Sequence, residues 1–161
     1  MFHTEFIAAK NICIRLFWQD DKIRKIKLNW SSGRKSDPNL SPYGLKIQSE
    51  LVKYVRGEKV EWPDLPLDFS QLTPFRQQVL KALTKEIGWG VATSYKELSK
   101  LAGSPRAARA VGTTMANNPF PLIIPCHRVL ATGGKIGGFS GSGIPMKEYL
   151  LNLEKISFKN G

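Results

Sequence analysis

The stretch SYKELSKLAGSPRAARAVGTTMA, Ser94–Ala116, decides how the second half of the chain is read. Ser94 and Glu97 have the spacing of a capping box, in which a hydroxyl and a carboxylate satisfy amide donors at a helix N-terminus. A short helix opens there, and Gly103 closes it, because glycine enters the left-handed region at little steric cost. Ser104-Pro105 at once supplies a second start signal. Two short helices joined by a tight glycine-containing turn predict a helix-turn-helix, with Pro105–Ala116 as the recognition helix. Ala107, Ala108, Ala110 and Gly112 carry little side chain, so this helix can approach a groove closely; tight helix packing accounts for some of them equally well. Arg106 and Arg109, three apart, fall on neighbouring surface positions. Arg109, set between alanines, favours a DNA contact over plain solvation.

Downstream lies IIPCHRV, Ile123–Val129. A Cys-His pair is a weak signal alone, since buried cysteine is common and inert. Its surroundings strengthen it. Asn117–Pro125 holds three prolines, so a stiff strand leads to Cys126, and Gly133–Gly143 holds six glycines in eleven residues. Such a loop brings backbone amides near a ligand, and Phe139 and Ser140 in its middle suit a pocket wall. A last helix begins at Pro145 with Met146, Tyr149, Leu150 and Leu153 as its apolar face. Glu154 stands at the rim of that face, either exposed at the helix end or reaching inward to hold a histidine.

Upstream, Thr73-Pro74 starts a helix whose Phe75, Val79, Leu83 and Ile87 recur at helical spacing. The first 68 residues read differently. Ile12–Trp18 is β-rich, Asp20-Asp21 is a turn, and Ile26, Leu28 and Trp30 alternate with polar residues as in a half-exposed strand. Ser31–Asn39 is a polar loop. Ser41-Pro42 caps a helix with Ile47, Leu51, Tyr54 and Val55 on one face, ended by Gly57. Glu61–Asp68 carries two prolines and no periodicity, as a linker does. The expected class is α+β: a small N-terminal α/β domain with its linker, residues 1–68, then a mostly helical domain, residues 69–161.

The formal net charge is +11, from 24 basic and 13 acidic residues. Residues 69–161 account for +8 of it and residues 1–68 for +3. A polyanionic partner, most often nucleic acid, is implied for the second part. Two cysteines make no disulfide scaffold, and no apolar run approaches the ~20 residues of a membrane span. Met1–Lys10 has no secretory signal pattern. A cytoplasmic protein is expected, with Cys126 kept reduced.

PCHRV (Pro125–Val129), preceded by ARAVGTTMANNPFPLII (Ala108–Ile124), closely resembles the O6-alkylguanine-DNA alkyltransferases. The resemblance runs from about Thr73 to Glu154, with SYKELSKLAG and GGFSG in their expected places, and is only general over the first 68 residues. It implies a ribonuclease H-like N-terminal domain and a winged-helix-like C-terminal one. It implies single-turnover repair of O6-alkylguanine, with O4-alkylthymine as a further substrate, in double-stranded DNA by a monomer without cofactor or metal.

Residue by residue, Cys126 resembles the alkyl acceptor, His127 the base that takes the thiol proton through a water, and Glu154 the carboxylate that orients that histidine. Asn118 resembles the support of the active-site turn. Tyr95 resembles the donor to purine N3. Arg109 resembles the residue that fills the gap in the base stack. The Val129 backbone and the Ser140 amide resemble the groups reading the guanine edge, with Met115 and Phe139 completing the base pocket. Arg106, Ala110, Gly112, Thr113 and Arg128 are expected at the DNA. The recognition helix enters the minor groove in that family.

Two departures stand out: Phe139 replaces a tyrosine found in some relatives, and Ser140–Glu154 is one residue longer than usual. Some relatives bind zinc in the N-terminal part, but His3 and Cys13 are too few for a four-ligand site, so none is expected. Cys13, between Ile12 and Ile14, is expected in the core. The alternatives are a non-enzymatic alkylated-DNA-binding protein, a winged-helix regulator and a cysteine hydrolase. The first would lack the acceptor thiol. The second would not explain the Cys-His turn, and the third would turn over repeatedly.

Overall fold

A computed structural model describes residues 1–139 and 142–161. The chain opens with three antiparallel strands, β1 (Phe2–Ala9), β2 (Ile12–Gln19) and β3 (Lys22–Trp30), in that spatial order. Phe2–Ala9 lacks clean alternation, and its pairing with β2 along its whole length makes it a strand. Two-residue hairpins at Lys10-Asn11 and Asp20-Asp21 join the strands, and Lys10 and Asp20 take positive φ to fit them. Helix α1 (Pro42–Tyr54) covers one face of the sheet, with Ile47, Leu51 and Tyr54 buried. Ser41 caps it through its hydroxyl, as expected from sequence.

A buried carboxylate fixes this unit. Glu5 accepts from Trp18 Nε1 at 3.0 Å, and from the amide and hydroxyl of Ser41 at 2.5 and 3.0 Å. It ties β1 and β2 to the start of α1. Cys13 is buried, as expected.

The second part holds α2 (Pro74–Glu86), β4 (Thr93–Ser94), α3 (Tyr95–Leu101), α4 (Ala108–Ala116), β5 (Val129–Leu130) and α5 (Ile144–Leu153). The Thr73 and Ser94 hydroxyls cap α2 and α3, while the Glu97 carboxylate, expected to complete a capping box, is engaged by Lys100 at 3.3 Å. Two expectations need correction. The recognition helix begins at Ala108, because Pro105–Ala107 is spent on the turn, and Ala107 caps it without a side-chain hydrogen bond. Arg106 therefore precedes the helix. The approach to Cys126, residues 117–125, expected as a strand, is instead a run of turns with an isolated bridge between Pro121 and Ile124, and Cys126–Arg128 is itself a 3-10 turn.

Glu61–Asp68 is also more than a tether. Ile23 donates to Pro66 O at 2.8 Å and Asp68 to Ile23 O at 2.8 Å, so the segment lies along β3. Pro119 O accepts from Ile26 of the same strand at 2.8 Å. Both parts share one hydrophobic core, from Ile7 and Leu16 through Tyr54 to Val111 and Leu150. No helix among the described residues is long and apolar enough to cross a membrane.

Glu5→Ala should therefore lower stability by about 2–4 kcal/mol, since it leaves the Trp18 and Ser41 donors unpaired in the interior. Urea denaturation monitored by tryptophan fluorescence measures it.

Candidate active site and DNA surface

The Cys126 turn is built from below by Asn118. Its Nδ2 donates to Ile124 O at 3.0 Å, and its Oδ1 accepts from Phe120 N at 3.0 Å. One side chain thus closes the bend that the three prolines stiffen. Residues 121–130 are all buried, a burial rare for a connecting segment. β5 continues from the turn and pairs in parallel with β4, Thr93 opposite Val129. Ser94 ends β4 and caps α3, so this pairing carries Tyr95, the first residue of α3, to the mouth of the turn.

Tyr95, Gly112, Met115, Ala116, Cys126, Gly138 and Phe139 enclose a cleft of about 60 Å³. At Gly112 a Cβ would meet the Tyr95 ring at 3.8 Å, an ordinary contact. Gly137 has φ +67°, and a Cβ there would come within 3.2 Å of the Tyr95 hydroxyl. Burial, then the neighbouring Cys126, raises the Tyr95 pKa above its ordinary value.

Beneath the cleft, Glu154 gathers four donors. Oε2 accepts from Tyr54 at 2.5 Å and lies 2.5 Å from His127 Nε2. Oε1 accepts from Arg128 Nε at 2.7 Å and from Gly90 N at 3.4 Å. Burial alone would push this carboxyl up. The hydrogen bonds and charges of His127 and Arg128, with the Tyr54 bond, outweigh it and hold the pKa at about 2. His127 is fully buried, and desolvation lowers its pKa despite the carboxylate. It is neutral near pH 7. A neutral ring beside a carboxylate places its proton on Nε2. Nδ1 is then a bare acceptor, buried and without a hydrogen-bond partner among the described residues.

Arg128 corrects an expectation. It does not lie at the surface but is buried, and its Nη1 donates to Ile87 O at 2.9 Å at the end of α2. It is a structural partner of Glu154. Arg109, Ala110, Thr113 and Ala116 do form the exposed face of α4, and Arg106 is exposed just before it. Val129 is buried; its amide closes the 3-10 turn and its carbonyl accepts Lys147 Nζ at 2.8 Å. Ser140 lies outside the described residues.

Three participants escaped the sequence reading: Tyr54, Arg128 as an interior group, and Lys147. Lys147 is 1% exposed and also donates to Gly138 O at 2.9 Å, clamping the glycine-rich loop to the turn. Desolvation brings its pKa down to about 8, opposed by the charge of Cys126. The signal lay in the periodicity. The buried stripe of α5 is Met146, Lys147, Leu150, Leu151 and then Glu154, one step round from the face expected. Among the described residues no group of three or more His, Cys, Asp or Glu side chains is placed to hold a metal.

A family model described as "6-O-methylguanine DNA methyltransferase, DNA binding domain" matches residues 74–156. The constitutive methylated-DNA–protein-cysteine methyltransferase of Bacillus subtilis is 36% identical over 146 residues, 90% of this chain and 84% of that one. The methylated-DNA–protein-cysteine methyltransferase of Cricetulus griseus is 48% identical over 99 residues, 62% of this chain; the match spans about half of that protein's length, 47%. The crystal structure of Mycobacterium tuberculosis O6-methylguanine methyltransferase superposes with a TM-score of 0.75 at 34% identity, covering 96% of this chain and 93% of that one. The Mycobacterium tuberculosis protein solved in complex with DNA gives 0.72 at 36% identity, covering 89% and 86%.

The pH dependence of stability follows from these shifts. The folded pKa of His127 is depressed, so the unfolded chain takes its proton first and stability falls below about pH 6.5. The Glu154 carboxyl is depressed from 4.5 to about 2, so its contribution is complete above about pH 4.5 and is lost as pH falls toward 2. Denaturation across pH should show both stages. Glu154→Gln should remove the lower one and cost about 3–5 kcal/mol at pH 7, since it strands the buried Arg128 charge.

Proposed function

We propose, from the premise that this chain belongs to the 6-O-methylguanine DNA methyltransferase family, that it repairs DNA directly by moving the alkyl group of O6-alkylguanine onto Cys126. The observation that carries the reading is the buried His127–Glu154 pair beneath Cys126, in a cleft that opens beside α4. O4-alkylthymine is read as a second, minor substrate.

The alkylated oxygen lies inside the duplex, so the nucleotide must be extruded. α4 lies along the minor groove, where its exposed Ala110 and Thr113 permit close approach; Arg109 fills the gap left in the stack and Arg106 contacts phosphate. The cleft is narrower than a purine, so its Phe139 wall yields as the base enters. His127 Nδ1 takes the thiol proton through a water, with Glu154 fixing the tautomer, the logic of an oriented base. The thiolate sulfur attacks the alkyl carbon, the C–O6 bond breaks, and the electron pair leaves on guanine. Tyr95 gives guanine a proton at N3 and is reprotonated from His127. The backbone of Val129 and the amide of Ser140 read the base edge, Met115 packs against it, and Lys147 holds that edge in place.

The product is a thioether, whose alkyl carbon water could regain only by expelling a thiolate from an unactivated C–S bond, so each chain acts once. We read residues 1–68 as a ribonuclease H-like unit reduced to its hairpin sheet and helix, and residues 69–161 as a winged-helix-like alkyltransferase unit. The place of work is the cytoplasm, as a monomer, with neither metal nor cofactor.

Excess O6-methylguanine duplex should release one methyl equivalent per chain and then stop. Mass spectrometry should place ~14 Da on the Cys126 peptide and none on Cys13, one methyl replacing the thiol proton. Continued turnover, or label on Cys13, would contradict the reading.

Arg109→Ala should slow transfer from duplex far more than from single-stranded DNA, because an inserted side chain matters only where a stack must be held open. Single-turnover rates on the two substrates decide it.

A further inference from the structure

The net charge of the first 68 residues understates one of its surfaces. The face of the sheet opposite α1 receives Arg15 and Phe17 from β2 and Lys25 and Lys27 from β3, paired as Arg15 with Lys27 and Phe17 with Lys25. Thr4 and Asn29 extend its exposed part. Toward β1 the face is covered: Phe6 and Cys13 are buried, Arg34 stands over the Phe6 ring at 4.3 Å, and Asp37 of the same loop accepts from the Phe6 amide at 2.8 Å. Glu5 is turned inward onto Trp18 and Ser41. Cations and aromatic rings interleave: Lys27 Nζ stands 5.6 Å from the Phe17 ring centroid and the Arg15 guanidinium 5.3 Å from that of Phe6.

A β-bulge sharpens the pattern. The register shifts at Phe17/Trp18, so that Ile23 and Ile26 both point inward and the consecutive Arg24 and Lys25 are both exposed. Bulges re-aim side chains in this way. Arg24 and Lys25, with Phe17, form one wall of a groove of about 550 Å³, and Ala116 and Asn117 at the end of α4 form the other. No acidic side chain lines this groove among the described residues, so the basic face runs on from the helix proposed to enter DNA; Asp20, Asp21 and Asp68 line a separate pocket with Arg24. α4 itself presents one arginine, too few to anchor a duplex through its phosphates.

We propose that this sheet face is a second nucleic-acid surface, holding the phosphate backbone of the same duplex where it extends past the C-terminal end of α4. The inference rests on the proposed role of α4 and deepens it. Arg24, Lys25 and Lys27 meet the phosphates, Arg15 backs them, and the aromatic rings keep the cationic stems extended.

The test is the triple variant Arg24→Gln, Lys25→Gln, Lys27→Gln in the full chain. A control, Lys46→Gln, Lys53→Gln, Lys59→Gln, removes as many charges from the α1 side. Affinity for an O6-methylguanine duplex is measured by anisotropy across salt. Each phosphate contact contributes about 0.9 to the slope of log K against log salt. The sheet variant should lose roughly 2–3 in slope and bind a long duplex at least about tenfold more weakly. On a duplex trimmed to the bases under α4 it should match the wild type. Its transfer rate at saturating DNA and its thermal melt should be unchanged, since the three side chains lie outside the cleft. An unchanged slope and length dependence, or an equal loss in the control, overturns the proposal and leaves the face to an acidic protein partner. Failure of the wild type to bind any duplex overturns the reading of α4 as well.

Discussion

One buried carboxylate holds this molecule to its purpose. Glu154 ends α5, yet its four donors come from α1, the loop after α2 and the Cys126 turn. Taking a carboxylate out of water costs several kcal/mol, and only dense hydrogen bonding with an opposite charge offsets it. Arg128 supplies the charge; Tyr54, His127 and Gly90 supply the rest. Because Tyr54 belongs to the first part of the chain and the other groups to the second, the same network joins the two. The shared core reinforces the join, and the α1 helix is thereby linked to the orientation of His127.

This constraint is also what gives the turn its chemistry. With Glu154 ionised and the imidazole neutral, the ring proton is fixed on one nitrogen and the other is left as a buried acceptor. Lys147 works on the opposite side. Its ammonium, buried and bonded to Val129 O and Gly138 O, sets the spacing between the turn and the glycine-rich loop, which is the width of the cleft. A cation near Cys126 favours a thiolate there. Tyr95 arrives by a third route, the short parallel pairing of β4 with β5. Each group around the cysteine is thus held by an element distant in sequence, which suits a site that must be formed before its substrate arrives.

The matched family segment, residues 74–156, contains Tyr95, α4, Cys126, His127 and Glu154, whereas Tyr54 lies outside it. The first part therefore contributes a hydroxyl to the site although it lies outside the matched family segment.

Local signals determined a good deal by themselves. Ser41, Thr73 and Ser94 cap helices because a hydroxyl before an amide-rich first turn does so in almost any context. Gly57 and Gly103 end helices because their positive φ is cheap only for glycine. Cys126 and His127 stood out through their prolines and glycines, and the resemblance pointed to Glu154 and Asn118. What sequence could not supply was orientation. Whether Arg128 faces DNA or the interior depends on where the Ile87 carbonyl and Glu154 come to rest, and neither is a neighbour in the chain. The rotation of α5 that buries Lys147 in place of Tyr149 is set by carbonyls 9 and 18 residues away. Tyr54 meets Glu154 across 100 residues. Capping and turn formation are decided within a few residues, whereas a buried polar group is tolerated only where distant partners converge, and that convergence exists only in the folded chain.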